Sequence, residues 1–133
     1  MFTLDTVKAA AVASLLAFAA SPALADEVVL SGQLKGDSGH VTTGTVQVVE
    51  LDNGRYRLDL SGDFSLDNAP DPEVAFGRNG RYVAAGNVGA LKKLRGGQSY
   101  ALPAAFNPSV FDTFFIWCGD FAVSLGKTAL RAS

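Results

Sequence analysis

The chain has 133 residues, and its 11 Lys and Arg against 13 Asp and Glu give a net charge of −2. This balance excludes the concentrated positive charge with which nucleic-acid-binding proteins contact phosphates, and the basic cluster at 91–95 is too short to supply it. One His and one Cys exclude catalytic zinc and blue-copper centres, because each needs several such ligands. We therefore expect no metal site and no nucleic-acid partner.

The N-terminus has the pattern of a cleavable export signal. Residues 9–20 form an apolar run, and Ala23 and Ala25 supply the small residues of an A-x-A cleavage site. This run is too short to cross about 30 Å of hydrocarbon as a helix. We expect residues 1–25 to be a signal peptide cut after Ala25. Residues 26–133 should form one domain, periplasmic or secreted, with no membrane span.

The only cysteine, Cys118, limits how such a domain is stabilised. Small exported domains are often cross-linked by disulfides, but one Cys cannot form an internal bridge. Stability must therefore come from packing. Cys118 is then buried and inert, cross-linked to a second molecule, or used chemically.

The first half of the expected domain is predicted to consist of short strands. Apolar and polar residues alternate in 28–34, 43–51 and 55–62, and a turn is predicted at 35–40. Val46 and Val48 should share one face. Asn53-Gly54 favours a tight hairpin between the second and third strands, because both residue types accept positive φ. Residues 63–72 are predicted to be a polar connection, interrupted by Pro70 and Pro72.

The second half continues with strands and turns. A short strand is predicted at 73–77 and an Asn-Gly turn at 78–82. The Gly-rich segment 85–98 is predicted to be irregular, with a short extended piece at 88–91. Residues 99–103 should form an edge strand ended by Pro103.

The last third contains the most apolar strand. Residues 110–118 are apolar on both faces, which is typical of a central strand covered on both sides. Phe114, Ile116 and Cys118 should share one face, with Phe115 and Trp117 on the other. Closing strands are expected within 120–126 and 128–132. These short, regularly punctuated strands predict an all-β fold, a small antiparallel β-sandwich.

Two segments partly match motifs with known chemistry, but neither match is complete. The segment 36–39 has the Gly-Asp-Ser-Gly order of a serine-protease nucleophile loop, but the only histidine, His40, lies directly beside it and the chain is too short for that fold. Asp63, Ser65 and Asp67 alternate as in a calcium loop. The glycine that such a loop needs next is Asn68, so a turn with Asx caps is favoured.

Several of these segments together resemble the DM13 family. The matching positions are Asp63–Phe64, Pro70–Asp71, Leu91–Lys92, Gly97–Gln98, Tyr100, Pro103, Trp117–Cys118, Phe121, Val123 and Gly126. The resemblance covers about residues 30–131. It implies an extracytoplasmic, DOMON-like β-sandwich that acts in electron transfer, with the family's cysteine as a bare redox thiol or as the ligand of a group such as haem. The chain departs from the family pattern at Phe111, where the family has Tyr, and at Gly119, where it has a basic or polar residue.

The residues around Cys118 leave two interpretations open. Phe114 and Ile116 share its face, and the nearest basic residue along the chain is Lys127, which disfavours a strongly activated thiolate. An apolar shell formed with Trp117 and Phe121 would suit a flat cofactor such as haem. Cys118, Trp117, Phe114 and Phe121 are thus the candidate cofactor-binding residues, and His40 is a second axial ligand only if the fold brings it close. The simpler alternative is a buried cysteine that acts as a small hydrophobic residue.

Two functions follow from these interpretations. The first is an exported redox accessory that works through Cys118 with a redox partner protein or a small ligand, rather than a self-sufficient enzyme. The second is a non-catalytic ligand-binding or adhesion module whose cysteine is structural. Its loops at 36–40, 67–73 and 86–97 would form a binding face at one end of the sandwich.

Overall fold

The structure is a computed structural model that describes residues 26–133, so the predicted signal peptide lies outside the described residues. The described chain is all β, apart from turns and a short 3₁₀-helix at Pro108–Val110. Its strands are β1 (Glu27–Gln33), β2 (Lys35–Gly36), β3 (Thr42–Thr43), β4 (Thr45–Glu50), β5 (Tyr56–Leu60), β6 (Ser65–Leu66), β7 (Pro72–Arg78), β8 (Arg81–Ala90), β9 (Gln98–Ala101), β10 (Thr113–Cys118), β11 (Val123–Ala129) and β12 (Arg131–Ala132). Within residues 26–133 there is no helix long and apolar enough to cross a membrane.

The strands form two five-stranded antiparallel sheets and one small ladder. The first sheet has the order β12-β1-β4-β5-β9, and the second has the order β2-β11-β10-β7-β8. Strands β3 and β6 pair separately. The large sheets pack face to face around one apolar core, which confirms the predicted all-β sandwich. Strand β10 is the middle strand of the second sheet, and β9 is an edge strand of the first, both as predicted.

Both predicted Asn-Gly turns connect neighbouring strands. The β4–β5 hairpin turns at Gly54, whose φ of 83° only glycine adopts easily. The β7–β8 hairpin turns at Asn79 and Gly80, both with positive φ, as a two-residue turn matched to the twist of its strands requires. These local φ requirements explain why the sequence predicts both hairpins correctly.

The core is built from the inward faces of both sheets. Val46 and Val48 of β4 face inward together, as predicted, and they meet the inward side chains of β7 and β10. Phe76 of β7 lies at the centre of an aromatic cluster. Its ring centroid is 5.0 Å from that of Phe106, 5.5 Å from that of Phe111 and 5.4 Å from that of Phe114. The last two strands, β11 and β12, join the two sheets as expected for closing strands.

The segment 63–72 is not the wholly polar connection that its composition predicts. Phe64 and Leu66 are fully buried, and β6 pairs with β3 as a separate two-stranded ladder. Gly44 makes this possible, since a Cβ at that position would lie 2.7 Å from Phe64 Cα. Burial of two isolated apolar residues depends on a distant glycine, which the local pattern does not show.

The prediction that 85–98 is irregular is wrong over its first half. Residues 81–90 form the ten-residue strand β8, which pairs with β7 through two register shifts. The glycines there serve close approach rather than a loop, because a Cβ on Gly86 would overlap the carbonyl oxygen of Phe76 and press on the Phe111 ring. Strand β10 also begins later than predicted, at Thr113, because Asn107 caps the preceding 3₁₀-helix.

Candidate functional site

Cys118 is the last residue of β10 and points into the sandwich. It pairs with Pro72 of β7 on one side and Val123 of β11 on the other. Its side chain shares the core face with Phe114 and Ile116, as predicted, and only 1% of the residue is exposed. The thiol therefore lies at the end of the core rather than on the surface.

One loop segment holds the thiol in place. Cys118 Sγ donates a hydrogen bond to the carbonyl oxygen of Pro70 at 3.1 Å. The next residue, Asp71, has a φ of 49°, and its carbonyl accepts the backbone N–H of Gly119 at 3.0 Å. The Pro70–Asp71 and Trp117–Cys118 motifs are thus two sides of one contact.

Three carboxylates surround the turn that follows Cys118. A Cβ on Gly119 would overlap Asp71 Oδ2 and lie 2.8 Å from Glu73 Oε2, so a side chain at this position requires both carboxylates to move. Desolvation raises the pKa of Asp71 above its usual value, and the negative charges of Glu73 and Asp120 raise it further. Three negatively charged groups therefore lie next to the Pro70–Asp71 segment, which covers the Cys118 thiol.

This repulsion gives a prediction for the Asp71→Asn variant. Because the pKa of Asp71 is raised in the folded protein, its stabilising contribution is complete below the usual pKa of 3.8 and is lost as the pH rises through the folded value. Asparagine also tolerates the positive φ of this position. We expect Asp71→Asn to be more stable than the wild type at pH 7, with the difference disappearing below pH 3.8. Thermal unfolding across this range measures it.

The matched control is Asp52→Asn, in the exposed β4–β5 turn. It makes the same chemical change far from the three carboxylates and should leave the melting temperature nearly unchanged at pH 7. Equal shifts in the two variants, or a lower melting temperature for Asp71→Asn at pH 7, would contradict the repulsion.

Trp117 lies on the opposite face of β10 from Cys118. Its ring stacks on that of Tyr82, with centroids 4.0 Å apart and planes 6° from parallel. Asn87 Nδ2 fixes the arrangement by donating to the Tyr82 hydroxyl at 3.0 Å and to Glu73 Oε1 at 2.9 Å. Tyr82 and Asn87 were not predicted to lie near Trp117, because the sequence assigns them to a turn and an irregular segment rather than to one strand, β8. The available signal was the pair Tyr82-Val83, because aromatic and β-branched residues favour strands.

The four predicted site residues are not gathered at one surface. Phe114 and Cys118 face the core, Trp117 faces outward against Tyr82, and Phe121 is 68% exposed in the turn after β10. His40 is engaged elsewhere, with Nδ1 3.0 Å from Asp67 Oδ1. That contact and two backbone N–H donors lower the pKa of Asp67 to about 2.

These positions test whether haem fits at Cys118. A macrocycle ligated by Sγ would have to displace the Pro70 carbonyl and the core side chains that bury the thiol. Trp117 and Phe121 would not flank it, because one lies on the other face and the other lies in solvent. The residues present in this conformation do not fit a haem. Among residues 26–133, no three His, Cys, Asp or Glu side chains group so that they could hold a metal ion.

The Gly-Gln-x-Tyr segment at 97–100 has a structural role. Tyr100 is buried, and its hydroxyl donates to Gln98 Oε1 at 2.6 Å while accepting the Lys92 backbone N–H at 2.8 Å. Gln98 Nε2 in turn donates to the carbonyls of Lys93 and Gly96, each at 3.0 Å. The network fixes the 91–97 turn against β9.

Comparison with known proteins gives one family. The family model described as "Electron transfer DM13" matches residues 33–130, which is most of the chain and all of the elements from the end of β1 to the end of β11. No curated protein and no solved structure matches. The match contains the thiol, its covering Pro70–Asp71 segment and the Tyr100 network, and by it the chain belongs to the electron-transfer DM13 family.

Proposed function

We propose that this protein is an exported electron-transfer accessory in which the Cys118 thiol carries the redox step. The observation that supports it most directly is the position of the thiol within an electron-transfer domain: Cys118 is the only cysteine, and its Sγ is held by the carbonyl of one loop residue, Pro70. The apolar run at 9–20 and the A-x-A site supply the case for export to the periplasm or beyond.

A thiol this buried reacts only after local movement. Displacing the Pro70–Asp71 segment breaks the Sγ hydrogen bond and the Gly119–Asp71 bond while leaving the sheet ladders intact. Repulsion among Asp71, Glu73 and Asp120 favours this opening at neutral pH. Opening exposes Sγ to a second molecule.

The chemistry is thiol–disulfide exchange with protein partners. The opened thiol loses its proton to water, and the thiolate attacks one sulfur of an oxidised partner's disulfide. That bond breaks, a mixed disulfide forms, and the second sulfur leaves as a thiolate. A reduced partner's dithiol then displaces the bound sulfur and closes into its own disulfide, releasing the Cys118 thiolate. Two electrons pass from the dithiol to the first disulfide, and Cys118 returns to its starting state.

The test is mixed-disulfide formation with glutathione disulfide under native conditions, followed by mass spectrometry. We expect slow but complete modification of Cys118 and faster modification in Pro70→Gly, which loosens the cover. Val49→Ala is the control. Val49 is a buried residue of β4 in the first sheet, so this substitution lowers global stability without touching the Pro70–Asp71 segment. Its rate should equal that of the wild type.

A second candidate function is favoured by the 1% exposure of Cys118, namely a binding module with a structural cysteine. In that case Cys118 stays unmodified until the protein is denatured, or its reactivity follows global stability, so that Val49→Ala accelerates it as much as Pro70→Gly does. Either result would overturn the redox proposal.

A further inference from the structure

A cavity of about 740 Å³ lies on the side of the sandwich where β1 and β12 face β2 and β11. The sheets approach closely at its floor, since a Cβ on Gly32 would lie 2.6 Å from the Thr128 hydroxyl oxygen. The cavity is of the size that small ligands occupy. It shares no lining residue with the surroundings of Cys118, so a ligand bound here would be independent of the redox chemistry proposed for the thiol.

The charged side chains around this cavity are mainly cationic. Lys35, Lys127 and Arg131 line it, opposed by the single carboxylate of Asp37. Asp37 Oδ2 is 3.6 Å from Lys127 Nζ, which leaves Lys35 and Arg131 with no carboxylate partner within 4.0 Å among the described residues. The cavity thus concentrates positive charge on a chain whose net charge is −2.

Two of these cations are placed directly against each other. Lys35 of β2 and Lys127 of β11 are cross-strand partners in the antiparallel ladder. Like charges directly opposite each other across an antiparallel ladder are destabilising. A negatively charged ligand between them would turn this repulsion into attraction.

We propose that this cavity binds a small polyvalent oxyanion, a molecule carrying two or more phosphate or carboxylate groups. Lys35 and Lys127 neutralise one group from the second sheet, and the Arg131 guanidinium, suited to bidentate contact with such groups, reaches another from the first. The Ser31 hydroxyl, which also lines the cavity, is an additional hydrogen-bond donor.

Isothermal titration with pyrophosphate and with citrate, at about 0.15 M salt to screen weak surface attraction, tests the proposal. We expect saturable one-site binding of at least one probe. Lys35→Gln and Lys127→Gln should each weaken it about tenfold, the change that follows from losing one close charge. Asp37→Asn should tighten it, since it removes the competing carboxylate. Arg81→Gln removes an exposed cation at the β7–β8 turn, away from the cavity, and should change nothing.

A second readout separates binding from folding. The unliganded Lys35→Gln variant should melt at or above the wild-type temperature, because it relieves the like-charge pair, while the rise in melting temperature that the probe causes in the wild type should be lost. Equal weakening by Arg81→Gln, or no binding of either probe, would overturn the proposal. So would binding only to polyglutamate or to vesicles containing phosphatidylglycerol, since those results assign the surface to a protein or a membrane.

Discussion

Replacing Phe76 with alanine should lower the free energy of unfolding by about 3–5 kcal/mol, the range measured for large aromatic truncations in cores. Phe76 is 0% exposed, and its ring contacts three other phenyl rings that come from β10 and from the 103–111 connection. Truncation removes the shared centre of this cluster. The rings around it are fixed by separate backbone segments, so the cavity cannot fully collapse.

Chemical denaturation monitored by circular dichroism measures the loss. The control is Phe121→Ala, an identical change at a residue that is 68% exposed in a turn, which should alter stability by no more than about 0.5 kcal/mol. A loss below about 1.5 kcal/mol for Phe76→Ala would show that the cluster repacks and is not a fixed structural centre.

The second large effect is expected from Gly77→Ala in β7. A Cβ there would overlap the carbonyl oxygen of Arg81 and lie 2.8 Å from Cε2 of Phe115. One of these atoms belongs to the backbone of the neighbouring strand, so neither rotamer changes nor side-chain shifts can relieve the clash. We expect a loss of about 1–3 kcal/mol, as for overpacking elsewhere, together with disturbance of the β7–β8 hairpin.

Gly62→Ala is its matched control, since a Cβ at that position meets no atom within 4 Å and the residue does not have positive φ. It should be neutral or slightly stabilising, because alanine restricts the unfolded chain. Thermal melts of both variants measure the difference. If the two glycines tolerate alanine equally, the backbone of Arg81 does not lie as close to Gly77 as the β7–β8 pairing requires.

The elements that the sequence predicts correctly are those fixed by local chemistry. Asn53-Gly54 and Asn79-Gly80 indicate their hairpins because few residues accept positive φ. The apolar run at 110–118 indicates a central strand because both of its faces are apolar, and the strand itself is Thr113–Cys118. Most of strand β8 was not predicted. A glycine at position 86 is needed because the backbone of Phe76 on the neighbouring strand lies too close for a side chain, and the local sequence does not show this contact.

The candidate site could be predicted only in part. The sequence singled out Cys118 and Pro70–Asp71, yet the hydrogen bond that joins them spans 48 residues of chain. Strand alternation placed Trp117 and Cys118 on different faces of the same strand, so the sequence pattern already separated the Trp117 ring from the thiol. The exposure of Phe121 and the carboxylates that crowd Gly119 depend on how the turn after β10 folds back, which no local pattern determines.

The Trp117–Tyr82 stack makes the protein its own optical probe. Trp117 is the only tryptophan in the chain, it adjoins Cys118, and its ring is 4.0 Å from that of a tyrosine. All tryptophan fluorescence therefore comes from one position. Tyr82 transfers excitation energy to Trp117, and the Trp117 emission is sensitive to quenching by groups at the end of β10. Emission excited at tyrosine wavelengths follows the integrity of this end of β10 without any added label.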